Sequence, residues 1–281
     1  YRFGRIIIFF FFAVCLLMPR TKKLKINEYW TKDCLLRTPM FGEIMSRDRF
    51  LLLLRMLHFS DNNADAGGDK LFKIRHVIDS LRASFRGAFL PYRDVVVDES
   101  LLLFKGRLSF KQYIPSKRSR FGVKTFVMCD CRTGYILDFI VYTGVNSDIT
   151  VSGLGKGADI VSTLLAPYLQ KGPRLYVDNW YTSPDLFMWL HGQATNACGT
   201  VRKTRKHMPK MEQKLKKGEV SSKSAACLLA IKWCDKREVW MLTTCHDSGM
   251  VATEKIDRKT GLTIVKPQCV VDYNKCMGSV D

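Results

Sequence analysis

The spacing of apolar residues predicts helices along the chain up to Pro91. Between residues 71 and 85 apolar side chains recur every three or four positions, which places them on one face of an amphipathic helix. An earlier helix is predicted from Ser46 to about Phe59, because a serine that can cap a helix precedes a run of leucines. The polar segment 60–69, which lies between these two helices, predicts a loop.

The segment from Ile6 to Met18 is a continuous apolar run that includes four successive phenylalanines. It is shorter than the roughly 18–20 residues that a membrane-spanning helix needs. The segment 19–23, which is mainly basic, follows it where a signal peptide would have small residues for cleavage. We therefore expect a buried helix of the fold and no membrane contact, with a membrane anchor as the weaker alternative.

After Pro91 the apolar pattern becomes typical of strands that alternate with helices. Strands are predicted at 95–98, 111–114, 123–129, 135–142 and 175–178, and helices at 159–169 and 183–192. Beyond a strongly basic stretch at 202–217, residues 228–233 and 239–244 predict a second hairpin, and 267–281 predicts the start of another helix. This order indicates a mixed α/β sheet that the basic stretch and second hairpin interrupt as an insertion.

The charge of the chain narrows the class of partner. Lys and Arg number 45 against 26 Asp and Glu, which gives a formal net charge of +19. The basic residues are spread through structured segments, so a nucleic acid is a better match than a generally basic surface. The ten cysteines form no CxxC pair, and we interpret them as reduced thiols of an intracellular protein.

Two aspartates are predicted at the ends of apolar strands. Asp98 ends the run 94–98, and Asp178 ends the run 174–178. Each could simply start a turn, but two carboxylates on neighbouring strands of a basic protein favour binding of Mg²⁺ or Mn²⁺. Paired divalent cations promote phosphoryl transfer on nucleic acids.

Basic side chains follow both aspartates in sequence. Aromatic residues are interleaved with the first set, as expected where phosphates are neutralised and bases are stacked. A solvated strand face with core aromatics would give the same pattern. The candidate DNA-binding residues are Lys105, Arg107, Lys111, Lys117, Arg118, Arg120 and Lys124 in the first set, and Arg202, Lys203, Arg205 and Lys206 in the second.

Other common enzyme signatures are absent from the sequence. There is no GxxxxGK[ST] phosphate loop, and the five histidines form no HExxH motif. The segment 153–157 is rich in glycine, but its spacing does not match a phosphate loop, and we interpret it as a flexible turn.

An ordered series of short motifs resembles the piggyBac family of DDE transposases. The motifs are Val97-Asp98-Glu99-Ser100, Phe104-Lys105-Gly106-Arg107, Tyr113-Ile114-Pro115-Ser116-Lys117, Asp178-Asn179-Trp180-Tyr181-Thr182-Ser183, Gly199-Thr200-Val201-Arg202, Tyr273-Asn274-Lys275 and Met277-Gly278-Ser279-Val280-Asp281. Their order covers almost the whole chain, and the ordered sum is more specific than any single motif.

The resemblance implies a ribonuclease-H-like α/β core that an insertion domain interrupts. It divides the chain into a helical DNA-binding and dimerisation region at 1–93, the first part of the catalytic core at 94–203, the insertion domain at 204–266 and the last core segment at 267–281. The metal-binding and catalytic aspartates carry over onto Asp98, Asp178 and Asp281, the last of which only the family pattern identifies. The chain would be a piece of a longer protein, shortened at both ends.

The function implied by the resemblance is cut-and-paste DNA transposition. Family members hydrolyse phosphodiesters and transfer strands at transposon ends, insert at TTAA targets, and act in the nucleus as homodimers on double-stranded DNA with Mg²⁺ or Mn²⁺. The alternative is a domesticated or decayed DNA-binding protein that keeps its acidic residues without catalysis.

Overall fold

The computed structural model describes residues 2–65, 67–115, 120–144, 147–256 and 261–280. The chain divides into two compact units, residues 1–65 and residues 66–281. The helices are α1 (Arg2–Leu17), α2 (Pro39–Ile44), α3 (Arg47–Met56), α4 (Arg75–Ala88), α5 (Lys156–Leu165), α6 (Pro184–Gly192) and α7 (Gln268–Met277). The strands are β1 (Asp94–Leu103), β2 (Gln112–Tyr113), β3 (Phe121–Asp130), β4 (Ile136–Val141), β5 (Arg174–Val177), β6 (Asn196–Thr200), β7 (Val220–Ala225), β8 (Leu228–Cys234), β9 (Glu238–Thr243), β10 (Met250–Ile256) and β11 (Thr263–Pro267).

The first unit is helical, and the expectation that its apolar run forms a buried helix is wrong. In α1 the side chains of Phe11 and Val14 are buried against Tyr29, Phe41 and Phe50. The helix is apolar around its whole circumference, so only one stripe can contact this core. Phe9 is 74% exposed. Gly4–Thr21 is long and apolar enough to cross a membrane, with 11% of that span buried.

The second unit is built on one large mixed sheet. In the part of the chain that the structure describes, its strands follow the order β2-β3-β1-β5-β6-β9-β8-β7, and β4 also pairs with β3. β1, β5 and β6 run parallel, and the remaining pairs of the sheet are antiparallel. β10 and β11 form a separate antiparallel pair.

The two faces of the sheet carry different helices. Val95 and Val97 of β1 pack with residues of α5 and α6, whereas Val96 packs with residues of α7. Successive side chains of a strand point to opposite faces, so a single apolar run supplies both cores. This explains why β1 and β5 are predicted from continuous rather than alternating apolar residues.

Several local predictions are confirmed. Ser183 caps α6, with its hydroxyl accepting a hydrogen bond from the Leu186 backbone N–H, and Pro184 occupies the first turn. The turn at 131–134 joins β3 and β4 as an antiparallel hairpin. The second predicted hairpin is β8 and β9.

Two regions belong to other parts of the structure than the predicted domain boundaries imply. α4, which the sequence groups with the region 1–93, belongs to the second compact unit and packs on β4. β7 to β9, which fall within 204–266, extend the same sheet as β1 because β9 pairs with β6. The separate pair β10 and β11 also falls within this range, apart from Pro267.

Asp98 does not end its strand, which corrects the sequence prediction. β1 continues to Leu103 because β3 pairs with it from Val95 to Leu103. What ends near Asp98 is the parallel pairing of β1 with β5, whose last partners are Val97 and Val177. Beyond that point β1 stays paired with β3, and its Leu102 and Leu103 are exposed.

A buried carboxylate fastens α4 to the sheet. The fully buried Asp138 of β4 accepts hydrogen bonds from Arg82 at 2.7 Å and from Arg86 at 2.7 Å. A buried carboxylate with two guanidinium partners has most of its lone pairs satisfied. The loss of one member would leave the other charges without compensation.

We predict that Asp138→Asn destabilises the second unit by about 3 kcal/mol, because Arg82 and Arg86 would lose their buried counter-ion. Urea denaturation followed by circular dichroism measures this change. The control is Asp79→Asn on the same helix. Its carboxylate lies 3.9 Å from Arg75 and its side chain is 54% exposed, so a change below about 0.5 kcal/mol is expected. Equal destabilisation by the two substitutions would contradict the prediction.

Candidate active site

Asp98 and Asp178 lie beside each other where the parallel pairing of β1 and β5 ends. Val97 is the register partner of Val177, and the residue that follows each of these valines is an aspartate. Neighbouring strands are about 4.8 Å apart. The sequence prediction that these two carboxylates lie on neighbouring strands therefore agrees with the register.

The strand alternation directs both aspartates to the face that α7 covers. Asp98 is two residues after Val96, and Asp178 is two residues after Tyr176; Val96 and Tyr176 both belong to the core that includes α7. From α7, Tyr273 places its hydroxyl 3.4 Å from the Thr200 hydroxyl. The charges of Asp178 and Asp98 help to raise the pKa of this tyrosine. α7 therefore contributes a side chain to the neighbourhood of both acids.

The turn after β5 holds Asp178 in a defined position. Its carboxylate accepts a hydrogen bond of 2.8 Å from the Trp180 backbone N–H, and its carbonyl accepts one of 2.8 Å from the Thr182 hydroxyl. Gly199 on β6 permits this turn to approach, because a Cβ there would lie 2.3 Å from the Thr182 hydroxyl oxygen. The position of Asp178 is thus set by backbone contacts as well as by its strand.

The acidic groups affect the ionisation of their neighbours. Burial raises the pKa of Asp178, and the charge of Glu99 raises it further, against backbone hydrogen bonds and Arg202, which lower it. Burial also raises the pKa of Tyr273 to about 12. The pKa of Tyr181 is raised by burial and then by the charges of Asp98, Glu99 and Asp178. The site is therefore a cluster of negative charge in partly buried surroundings.

The Tyr181 hydroxyl is a buried polar group near these charges. It is buried and has no hydrogen-bond partner among the residues that the structure describes. A buried hydroxyl without a partner is costly. Tyr181 belongs to the core that β1 shares with α5 and α6.

A lysine and an exposed tryptophan border the acids. Lys124 forms an ion pair of 2.9 Å with Glu99, and its ammonium lies 4.9 Å from the Phe126 ring centre and 5.7 Å from that of Trp180. Trp180 is 37% exposed and stacks on Phe126 at 6.2 Å. These contacts orient the Lys124 side chain and leave part of an aromatic ring available to solvent.

Two arginines of the second basic set contact the turn that carries Asp178. Arg202 donates a hydrogen bond of 3.1 Å to the Asn179 side-chain oxygen. Arg205 donates to the carbonyls of Asn179 and Trp180. Arg202 lowers the pKa of Asp178 by its positive charge. Both guanidinium groups therefore lie near the candidate catalytic carboxylate.

The other predicted DNA-binding residues are more dispersed. Lys203 and Lys206 are exposed on the segment after β6. Lys105, Arg107 and Arg120 are exposed, and Lys111 half-exposed, on the segment that joins β1 to β3. There the rings of Tyr113 and Phe121 stack at 4.6 Å. Lys117 and Arg118 lie outside the described residues.

The third predicted acid, Asp281, also lies outside the described residues. Within 2–65, 67–115, 120–144, 147–256 and 261–280, no group of three His, Cys, Asp or Glu side chains is arranged to hold a metal ion. The site contacts of Tyr181 and Tyr273 were not predicted from the sequence. Their presence in the DNWYTS and YNK motifs was the available signal, but a motif alone does not distinguish a core aromatic from a site residue.

The mixed sheet, with α5 and α6 on one face and α7 on the other, is a ribonuclease-H-like arrangement. A cryo-EM structure of a piggyBac transposase synaptic complex with hairpin DNA matches 98% of this chain with a TM-score of 0.82 and 27% identity. The family model described as Transposase IS4 matches residues 3–281. The chain belongs to this transposase family, and its resemblance to piggyBac proteins is confirmed.

Curated human relatives support the same assignment. The chain is 28% identical over 269 residues to PiggyBac transposable element-derived protein 3 of Homo sapiens. This alignment covers 90% of this chain and 44% of that protein. It is 26% identical over 220 residues to PiggyBac transposable element-derived protein 2 of Homo sapiens. This alignment covers 75% of this chain and 35% of that protein. The chain thus spans less than half of each relative, and 57% of the piggyBac transposase chain.

The raised pKa of Asp178 predicts a pH-dependent effect of Asp178→Asn. When the pKa of a carboxyl is higher in the folded than in the unfolded protein, the free energy of unfolding falls as pH rises from the unfolded-state pKa to the folded-state pKa. Asparagine avoids this loss, so the variant should be more stable than the parent at about pH 7, with a smaller gain at about pH 4. Urea denaturation in metal-free buffer at the two pH values measures the difference.

The control for this experiment is Glu212→Gln, which changes an exposed carboxylate by the same charge. We expect no comparable gain in this variant. A gain for Asp178→Asn that is the same at both pH values would show that ionisation of Asp178 is not its cause.

Proposed function

We propose that this chain is the catalytic core of a piggyBac-like DNA transposase. Its activity would be phosphodiester hydrolysis and strand transfer at transposon ends, with TTAA as the target sequence. The observation that carries the proposal is the register of β1 with β5, which sets Asp98 and Asp178 side by side. The match to a piggyBac transposase solved with hairpin DNA supports DNA as the substrate.

The donor set fits a hard divalent cation. Asp98 and Asp178 offer carboxylate oxygens, which Mg²⁺ and Mn²⁺ prefer, and Asp281 would add the third acid of the family pattern. The raised pKa of Asp178 reflects burial and negative charge that a cation would offset. Cations held by these carboxylates would supply polarisation of an attacking water and stabilisation of the leaving oxygen of a phosphodiester.

The basic and aromatic residues around the acids would position the DNA. Arg202 and Arg205 lie beside Asp178 and can neutralise the phosphates that flank the cleaved bond. Lys124, which pairs with Glu99 and lies 5.7 Å from the Trp180 ring centre, adds a third positive charge beside the turn that carries Asp178. The exposed part of the Trp180 ring can stack on an unpaired base of a hairpin end.

The cellular setting follows from the family resemblance. We propose that the full-length protein acts in the nucleus as a homodimer on double-stranded DNA. The second candidate function is a domesticated protein that binds DNA without cutting it. Such a protein would keep Asp98 and Asp178 without using them in catalysis.

We predict that Mg²⁺ or Mn²⁺ stabilises the parent chain and not the Asp98→Asn or Asp178→Asn variants. A cation at 100 times its dissociation constant should add about 2.7 kcal/mol to the free energy of unfolding. Thermal unfolding with and without the cation measures this. In the same variants, nicking of hairpin and transposon-end DNA should fall by at least about a hundredfold.

The matched control is Asp235→Asn, which removes a carboxylate from the turn between β8 and β9. It should retain both the stabilisation by Mg²⁺ and the nicking activity. Stabilisation of parent and site variants to the same extent would refute the metal site. Stabilisation without any nicking by the parent would favour the non-catalytic DNA-binding protein.

We predict that Arg202→Gln weakens DNA binding and flattens its dependence on salt. The loss of one phosphate contact should reduce the slope of log K against log salt by about 0.9. Fluorescence anisotropy with a labelled duplex at several salt concentrations measures both quantities. Arg237→Gln, an equal charge change at the exposed β8–β9 turn, should leave the slope unchanged. An unchanged slope in Arg202→Gln would remove this residue from the proposed interface.

A further inference from the structure

A second charged concavity lies at the opposite end of the parallel strands from Asp98 and Asp178. It has a volume of about 570 Å³, within the range of small-molecule sites. Asp94 of β1 and Arg174 of β5, which are register partners, lie in its wall. Because Asp94 precedes Asp98 by four residues, the two places are separated by about 13 Å along β1.

Positive charge exceeds negative charge in this cavity. Its walls include four basic side chains and two carboxylates: Arg93, Arg132, Arg174, Lys275, Asp94 and Asp272. Asp94 is shared between Arg93 at 3.0 Å and Arg174 at 3.9 Å. Asp272 accepts hydrogen bonds from Gln268 at 2.7 Å and contacts His246 at 3.0 Å.

Two of the basic side chains have no carboxylate partner in the described part of the chain. The Arg132 guanidinium carbon lies 4.4 Å from the Tyr92 ring centre, a contact that orients the side chain but leaves its charge uncompensated. Lys275 extends from the last turn of α7. The carboxylates at the cavity are already engaged, so Arg132 and Lys275 are available to an added anion.

Arg174 is partly buried in the cavity wall. Its side chain is 20% exposed, and its guanidinium lies 3.9 Å from the Asp94 carboxylate. The neighbouring wall residue Tyr176 is 1% exposed. A guanidinium that is held in place beforehand loses little conformational freedom when it binds a phosphate.

We propose that this cavity binds a phosphate group, carried either by a nucleic-acid strand or by a free phosphorylated small molecule. The two uncompensated cations and the preorganised Arg174 match the charge and the hydrogen-bonding capacity of a phosphate. The site does not include Asp98 or Asp178 and requires no metal ion. It is therefore separate from the proposed catalytic function.

The first test measures binding of inorganic pyrophosphate and of a labelled twelve-nucleotide DNA strand to the whole chain in metal-free buffer. Calorimetry serves for pyrophosphate and fluorescence anisotropy for DNA. The variant R132Q/K275Q removes the two uncompensated charges, and K236Q/R237Q removes two exposed charges at the β8–β9 turn. We expect about tenfold weaker pyrophosphate binding in the cavity variant, equivalent to 1.4 kcal/mol, and no change in the control.

The two sources of phosphate are distinguished by competition. Displacement of the DNA strand by pyrophosphate, together with weaker DNA binding in R132Q/K275Q, supports a nucleic-acid strand in the cavity. Pyrophosphate binding that depends on Arg132 and Lys275, with DNA binding unchanged, supports a free phosphorylated molecule. Equal pyrophosphate affinity in the parent, the cavity variant and the control would overturn the proposal.

A thiol in the cavity wall provides a second readout that does not depend on substitution. Cys131 lines the cavity and is half-buried, whereas Cys227 lies in the turn between β7 and β8. Bound pyrophosphate should slow the reaction of Cys131 with a maleimide and leave Cys227 unaffected. Mass spectrometry of timed samples measures the two rates. An unchanged rate at Cys131 under saturating pyrophosphate would place the anion elsewhere and overturn the proposal.

Discussion

The candidate active site depends on the parallel pairing of β1 with β5. That pairing makes Val97 the partner of Val177 and so sets one aspartate beside the other. A shift of one residue would send one carboxylate to the opposite face of the sheet, because side chains alternate along a strand. The apolar residues before each aspartate pack on both faces, and this packing makes such a shift costly.

Packing on the two faces of the sheet also separates the chemical roles of neighbouring residues. The Asp98 side chain points to the same face as Val96, which is the face that α7 covers. The Glu99 side chain points to the same face as Val97, which packs with α5 and α6. Glu99 therefore pairs with Lys124 and not with the position between the aspartates. One short segment thus supplies a candidate metal ligand and, through its next residue, the anchor of a basic side chain.

The parallel strands present different chemistry at their two ends. Where the parallel pairing of β1 with β5 ends, burial and the charges of Asp98 and Asp178 raise the pKa values of Tyr181 and Tyr273. Near their amino ends, Asp94 compensates only part of the surrounding positive charge. α7 contacts both neighbourhoods, through Tyr273 at one and Lys275 at the other. A single helix therefore borders both the acidic candidate active site and the mainly basic cavity.

The sequence by itself predicted several local elements and singled out the two candidate acids. The cap at Ser183, the β3–β4 turn and the apolar runs before Asp98 and Asp178 are short-range signals that the structure reproduces. Tertiary structure decided the rest. β1 extends past Asp98 because a distant strand, β3, pairs with it, and α1 stays largely exposed because its core accepts only one stripe. The contacts of Tyr181 and Arg174 arise from residues far apart in sequence, which no local pattern encodes.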